Sequence, residues 1–236
     1  MKIMTFNTQH CQNYFEKRLD YGIMAEAINK FAPDFAVLNE MRDTGDAEGF
    51  EPQTEILAKM CGMQDFYFAK AIDVYESQKI SSPYGNGIIS KYKITEKQTI
   101  QIPDPEIKTG KRWYESRCIL KARLECGITV LGVHVGLNPD EADLAIQTIL
   151  DNVENEKCIV MGDFNMRPEN PIFERFCGRL VDAATKFEGP KLSYPSDVPV
   201  KKIDYIFTTP DIEIVSADIP AIVASDHRPH TAQIKF

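Results

Sequence analysis

Six short apolar runs in this chain each stop at, or flank, a residue able to bind a metal ion, a proton or a phosphate, and that repetition restricts the fold more than any other feature. Ile3–Phe6 ends at Asn7, Phe35–Leu38 at Asn39 and Glu40, and Val130–Val133 at His134. Ile159–Gly162 ends at Asp163, Ile203 and Tyr205–Phe207 flank Asp204, and Ala221–Ala224 runs into Ser225, Asp226 and His227. Short apolar runs bounded by polar or turn residues read as buried strands. Six unrelated loops would rarely repeat this design, so one polar pocket built from several strand ends is the economical explanation. In the run ending at Asp163, a backbone that stays extended would turn the side chains of Asp163 and Asn165 to the same side. The competing reading is a loop in which both residues serve local turn hydrogen bonds.

Helical spacing appears between these runs. Ile23, Met24, Ala27, Ile28 and Phe31 form one apolar stripe, with Asp20 as N-cap and Pro33 beyond its end. A second helix is expected over Gln53–Cys61. A third opens at Asn138-Pro139-Asp140-Glu141, in the favoured order of cap, proline and acidic first turn. Asn170–Phe176 suggests a short helix. Strands are also expected at Phe66–Ala69, Ile88–Ser90, Arg117–Leu124, Ile128–Val135, Ile212–Ala217 and His230–Phe236, with rim loops over Asp73–Tyr84 and Pro103–Tyr114. The strands and few helices imply an α/β (α+β) protein of two stacked sheets with helices outside. No linker, repeat or compositional break divides residues 1–236, which read as a single domain.

Charge restricts the partners. The 236-residue chain carries a net charge of −8, a field that repels a polyanion. Its basic clusters, Lys108–Arg112 and Lys201-Lys202, are long enough to cradle one or two phosphates and too short to track a duplex. No apolar stretch approaches the roughly 20 residues of a membrane span, and the N-terminal apolar run ends too soon for a signal peptide. Six scattered cysteines without a C-x-x-C pair argue against a zinc site or disulfide framework and for reduced thiols in the cytoplasm. No protein partner is implied.

The pocket candidates are Asn7, Glu40, His134, Asp163, Asn165, Asp204, Asp226 and His227. Four carboxylates converging away from water repel one another unless a cation or protons intervene. Oxygen-rich ligands without cysteine favour Mg²⁺ or Mn²⁺, with Glu40 as the best single ligand and Asn7 beside it. Asp226 cannot readily orient the ring of its neighbour His227, whereas Asp204, from another strand, can. Asp226 is then free as a metal ligand or as a group behind one.

Leu38-Asn39-Glu40, Gly162-Asp163-Phe164-Asn165, Ile203-Asp204-Tyr205-Ile206 and Ser225-Asp226-His227-Arg228-Pro229, in this order, resemble the endonuclease/exonuclease/phosphatase superfamily of metal-dependent phosphoesterases. The resemblance implies a four-layer αββα sandwich of two packed mixed β-sheets. It further implies that Asn7 and Glu40 hold Mg²⁺, that Asp163 and Asn165 position the attacking water and the phosphoryl oxygens, and that His227, paired with Asp204, contacts the phosphate or acts as base. His134 matches a position where some members carry a phosphate-binding or proton-donating histidine. Base duty stays open between Asp163 and His227. Arg42 and Arg117 are candidate substrate contacts, against an equal case for structural ion pairs. His10 is read as a neighbour of Asn7 or plain loop, His230 as a strand residue without catalytic duty, and Trp113-Tyr114 as packing or substrate rim.

The function expected is Mg²⁺-dependent hydrolysis of a small or lipid-like phosphoester, by a phosphodiesterase or a phosphatase. The alternatives are a DNA or RNA nuclease of the same superfamily and a catalytically silent binding module. The acidic balance disfavours nucleic acid as the partner.

Overall fold

The computed structural model describes residues 1–236. Twelve strands form two six-stranded sheets. The first contains β1 (Lys2–Asn7), β2 (Phe35–Arg42), β3 (Asp65–Asp73), β4 (Pro83–Ser90), β11 (Glu213–Asp218) and β12 (His230–Lys235), in the spatial order β11-β12-β1-β2-β4-β3. The second contains β5 (Ile94–Gln101), β6 (Cys118–Leu124), β7 (Thr129–His134), β8 (Cys158–Asp163), β9 (Val181–Asp182) and β10 (Asp204–Thr208), in the order β5-β6-β7-β8-β10-β9. Each sheet has one parallel pair at its centre, β1 with β2 and β7 with β8, and is antiparallel elsewhere.

Parallel neighbours need a crossover, and a helix supplies it in both sheets: α1 (Tyr21–Asn29) between β1 and β2, and α3 (Pro139–Asn152) between β7 and β8. Asp20 caps α1 by accepting from the Ile23 N–H at 3.1 Å. Glu141 reaches back to the Asn138 N–H at 3.0 Å at the start of α3. Together with α2 (Gln53–Met60), these helices cover the outer faces. Met24, Ile28 and Leu57 pack on Met4, Phe6 and Leu38 of the first sheet, and Ile146 and Ile149 on Leu131 and Val160 of the second. Between the sheets, Ile3, Phe35, Val37 and Ile88 meet Leu120, Val130, Met161 and Ile206. The four layers expected from the sequence are present. No helix is long and apolar enough to cross a membrane.

One strand was not expected, and one expected strand is absent. Ile94–Gln101 is a strand that the sequence does not announce, because β5 lies at a sheet edge and exposes most of Thr95–Gln98, leaving no apolar alternation to read. Conversely, Ala221–Ala224 is not a strand. That segment runs irregularly from Ile219 toward the site, tied by the Tyr14 N–H donating to the Ala224 carbonyl at 2.9 Å.

His230 is a buried strand residue, as expected, and its Nδ1 lies 3.3 Å from the Asp204 carbonyl. Burial, reinforced by the charge of Lys202, lowers its pKa to about 3. The unfolded chain therefore takes up a proton below about pH 6.5 that the folded chain refuses, so stability is lost as pH falls. The stability advantage of wild type over His230→Gln should shrink by up to about 1.4 kcal/mol per pH unit below 6.5, read from urea melts between pH 7 and 5.

Candidate active site

Strand alternation and strand ends together place the polar residues. In β1, Ile3 faces the other sheet, so Thr5 and Asn7 face it too. The same period carries Asn39 of β2, His134 of β7, Asp163 of β8 and Asp204 of β10 into the layer between the sheets. Register then aligns them, with Asn7 opposite Asn39, His134 opposite Asp163, and Asp163 opposite Asp204. The carboxyl ends of the two central parallel pairs thus open on one place, the usual location of sites in sheets of this kind.

Asp163 is at the centre. Its Oδ2 accepts from the Asn7 side-chain N–H at 3.1 Å and stands 3.6 Å from the Nε2 atoms of both His134 and His227. Its Oδ1 accepts from the Asn165 N–H at 2.8 Å. Asn165 is not extended, however. At φ 54° it turns left-handed, and its amide nitrogen donates to the Val135 carbonyl at 2.9 Å. Local turn bonds therefore describe this pair better than two side chains sharing one face, although Asn165 still lines the cavity. Gly162 has no room for a side chain, since an added Cβ would lie 1.8 Å from the Val133 oxygen.

Each histidine is set by a second group. Arg117 Nη1 lies 3.1 Å from His134 Nδ1, and a guanidinium only donates, so His134 Nδ1 accepts and its Nε2 carries the hydrogen. Burial, with the positive charges of Arg117 and His227, keeps this ring neutral, far below its ordinary pKa. His227 is the opposite case. Its Nδ1 donates to Asp204 Oδ2 at 2.9 Å, and although burial alone would lower its pKa, Asp204 and Asp163 outweigh that and hold it protonated. Burial raises Asp163 above the carboxylate range, against the pull of His227. Burial raises Glu40 as well, opposed by its hydrogen bond from Asn7.

Glu40 sits at φ 61° where β2 bulges between Leu38 and Met41. A left-handed glutamate is unusual. The bulge lets its carboxylate line the cavity, with Asn7 Nδ2 at 3.0 Å and His10 Nδ1 at 3.7 Å. The cavity, of about 470 Å³, is also lined by Arg117, His134, Asp163, Asn165, Asp226 and His227. Seven of the eight expected pocket residues line it or touch Asp163 across it. Asp204 stands behind His227, its Oδ1 buried without a partner. Arg117 faces the cavity and pairs with Glu115 at 2.7 Å. Arg42 does not line it, because its guanidinium lies over the Phe50 ring, 4.7 Å from the centroid.

Sequence reasoning missed what ties the two sheets together beneath the site. Asn39 Nδ2 donates to Asn86 Oδ1 and to the Val133 carbonyl, both at 2.8 Å, while its Oδ1 accepts from the Asp163 N–H at 3.0 Å. Asn86 Nδ2 continues to the Cys118 carbonyl at 3.0 Å. An asparagine closing an apolar run just before Glu40 was the only available signal. Asn39→Ala should cost about 3–5 kcal/mol, because three buried partners lose their bonds at once. That is a fall in Tm of roughly 10 °C, measurable by calorimetry. Also missed were Tyr194, 4.8 Å from the His227 ring, and Arg167 at the cavity wall, whereas Arg112 and Lys201, also at that wall, come from the two basic clusters expected to cradle a phosphate.

The donor set suits a hard divalent cation. Glu40 and Asp226 offer oxygens to one cavity, whereas Asp163, Asp204 and His227, whose ligand atoms lie within 4.8 Å of one another, already share the imidazolium charge. Asn7 Oδ1 accepts from the Gln9 N–H at 3.1 Å, so Asn7 would offer a cation its oxygen only after its amide turns over.

The profile described as the Endonuclease/Exonuclease/phosphatase family matches residues 4–227. Solved structures share the fold at low identity. An endonuclease/exonuclease/phosphatase from Beutenbergia cavernae DSM 12333 is 19% identical with a TM-score of 0.78, covering 100% of this chain and 71% of that one. A mannosyl-6-phosphatase of Bacteroides thetaiotaomicron VPI-5482 is 14% identical, also at 0.78, covering all of both chains. A humanized D. rerio TDP2 is 15% identical at 0.68, covering 100% of this chain and 99% of that one. No curated protein matches the sequence.

Proposed function

The chain belongs to the endonuclease/exonuclease/phosphatase family, and from that premise we propose that it hydrolyses a small phosphoester with Mg²⁺ as cofactor, Mn²⁺ serving as a substitute. The observation that carries this reading is the Asp163 carboxylate set between a neutral, hydrogen-donating His134 and a protonated His227. Two imidazole N–H groups converge where a phosphoryl oxygen gains charge, which is how preorganised donors lower such barriers.

Glu40 and Asp226 would hold the ion, with Asn7 fixing Glu40 from one side. When bound there, Mg²⁺ supplies neutralisation of the phosphoryl charge. The chain's own groups do the rest. His134 donates its Nε2–H to a phosphoryl oxygen, and Arg117 keeps the ring in the required tautomer. Asp163 Oδ2 accepts the proton of the attacking water as its oxygen bonds to phosphorus and the ester oxygen leaves. His227, already protonated, is a donor rather than the base, and Asp204 holds it so. Arg117 serves as the second cation facing the phosphate.

The test is hydrolysis of aryl phosphate mono- and diesters with and without Mg²⁺. Turnover only with the metal supports the reading; no turnover of any ester in either condition returns the chain to a binding role on an enzyme fold. One observation favours a second reading: Trp113, 79% exposed, follows Arg112 at the rim and offers a face on which a base could stack. A nuclease would lose affinity steeply with salt, in proportion to the phosphates contacted, and a small-substrate hydrolase would not. The six free cysteines fit a reducing compartment such as the cytoplasm.

A further inference from the structure

The catalytic groups account for one side of the cavity only. Arg112, Arg167 and Lys201 line it as well, and none of the three pairs with a carboxylate. Unpaired cations are common on this chain, so what sets these three apart is that they line one cavity. Their neighbours behave differently: Lys191 is held by Asp218 at 2.8 Å and Lys202 by Asp182 at 3.4 Å.

The main chain that carries Arg112 and Lys201 is fixed by its surroundings, while the Arg112 and Arg167 side chains are exposed. Lys201 and Tyr194 exchange backbone hydrogen bonds at 3.0 Å, the Lys201 ammonium lies 5.7 Å from the Tyr194 ring centre, and that ring packs on His227. Arg112 belongs to a loop clamped by Asn138, whose Oδ1 accepts from the Arg112 N–H at 2.9 Å and whose Nδ2 donates to the Arg112 carbonyl at 3.3 Å. Gly110 makes that clamp fit, since a Cβ there would meet Asn138 Oδ1 at 2.1 Å. Arg167 follows Asn165 by two residues. Together with Lys201 it also lines an adjoining cleft of about 260 Å³ that contains none of the catalytic carboxylates.

The cavity is therefore lined by carboxylates and imidazoles and also by three cations, of which Arg167 and Lys201 extend into the neighbouring cleft. Its volume falls in the range of sites that enclose a whole small molecule. Two guanidinium forks and an ammonium match an oxyanion. We propose that the substrate carries a second oxyanion, a phosphate or carboxylate, beside the phosphoryl group that reacts, and that Arg112, Arg167 and Lys201 select for it. The inference rests on the hydrolytic reading for which group reacts, but the binding preference is measurable without it.

The experiment compares the affinities of butane-1,4-bisphosphonate and butylphosphonate by calorimetry at fixed ionic strength, with Mg²⁺ and with EDTA. Wild type, Arg167→Gln, Lys201→Gln and the double variant are titrated. Wild type should prefer the bisphosphonate by at least tenfold, each single variant should lose part of that ratio, and the double variant should bring it within about threefold of unity. Equal affinities in wild type, or an unchanged ratio in the double variant, would overturn the proposal. Hydrolysis of aryl phosphates is scored separately. A lost preference with Mg²⁺-dependent turnover intact refutes only the second oxyanion, and a kept preference without turnover refutes only the hydrolytic reading.

Discussion

Asp163→Asn should lower kcat on an aryl phosphate by about 10²-fold to 10⁴-fold, the range for removing a positioned proton acceptor. The substitution keeps the shape of the side chain and the bond that Oδ1 accepts from the Asn165 N–H. What changes is the other end. Asn7 Nδ2 at 3.1 Å and the two histidine Nε2 atoms at 3.6 Å all surround Oδ2, and an amide nitrogen there would face donors with a donor. Steady-state kinetics with saturating Mg²⁺ would read the loss, and a Tm close to wild type would show that the fold survives. A rate within tenfold of wild type would remove Asp163 from the role of base.

The second large effect belongs to Asp204. Asp204→Asn breaks a fully buried pair and leaves the His227 imidazolium without its closest carboxylate. Losing one partner of a buried ion pair costs about 3–5 kcal/mol. The pH dependence gives a signature that a merely structural loss would lack. His227 has a folded pKa raised above the unfolded value, so its contribution to stability is complete below about pH 6.5 and is lost as pH rises through the folded value. The stability gap between wild type and Asp204→Asn should therefore be widest in mildly acidic solution and narrow toward alkaline pH. Denaturant melts in EDTA from pH 6 to 10 would test this, and a constant gap would contradict the assigned charge. Activity should also fall about 10²-fold or more, because His227 Nε2 loses its orientation and its proton at neutral pH.

Much of this arrangement was legible from strand ends. An apolar run halted by Asn7, His134 or Asp163 is a buried strand finishing at a site, and the run before Glu40 is one that bulges there; the pairing of His227 with Asp204 was expected from an extended Asp226-His227 segment and holds although that segment is irregular. The irregular segment before Asp226 was misread because Ala221–Ala224 is apolar for a different reason: Ala224 packs with the α1 and α2 layer without pairing in a sheet. Edge strand β5 was invisible because water replaces the neighbour that would demand alternation. The left-handed turn at Asn165, with its N–H donating to the Asp163 side chain, is the local-turn reading that the sequence left open beside the extended one. Spacing could not show that Arg112, Arg167 and Lys201, far apart along the chain, would line one cavity.

Backbone conformation around the cavity has a consequence for the evolution of the chain. Gln9, His10 and Cys11 follow Asn7 with φ of 48°, 45° and 62°, and Glu40 and Asn165 adopt the same unfavourable hand. Left-handed residues other than glycine cost about 1–2 kcal/mol each. Glycine at position 40 would relax the main chain while deleting a carboxylate from the cavity. A laboratory lineage screened for heat tolerance alone should therefore drift toward inactive proteins, with its first gains arising beside the cavity rather than in the core.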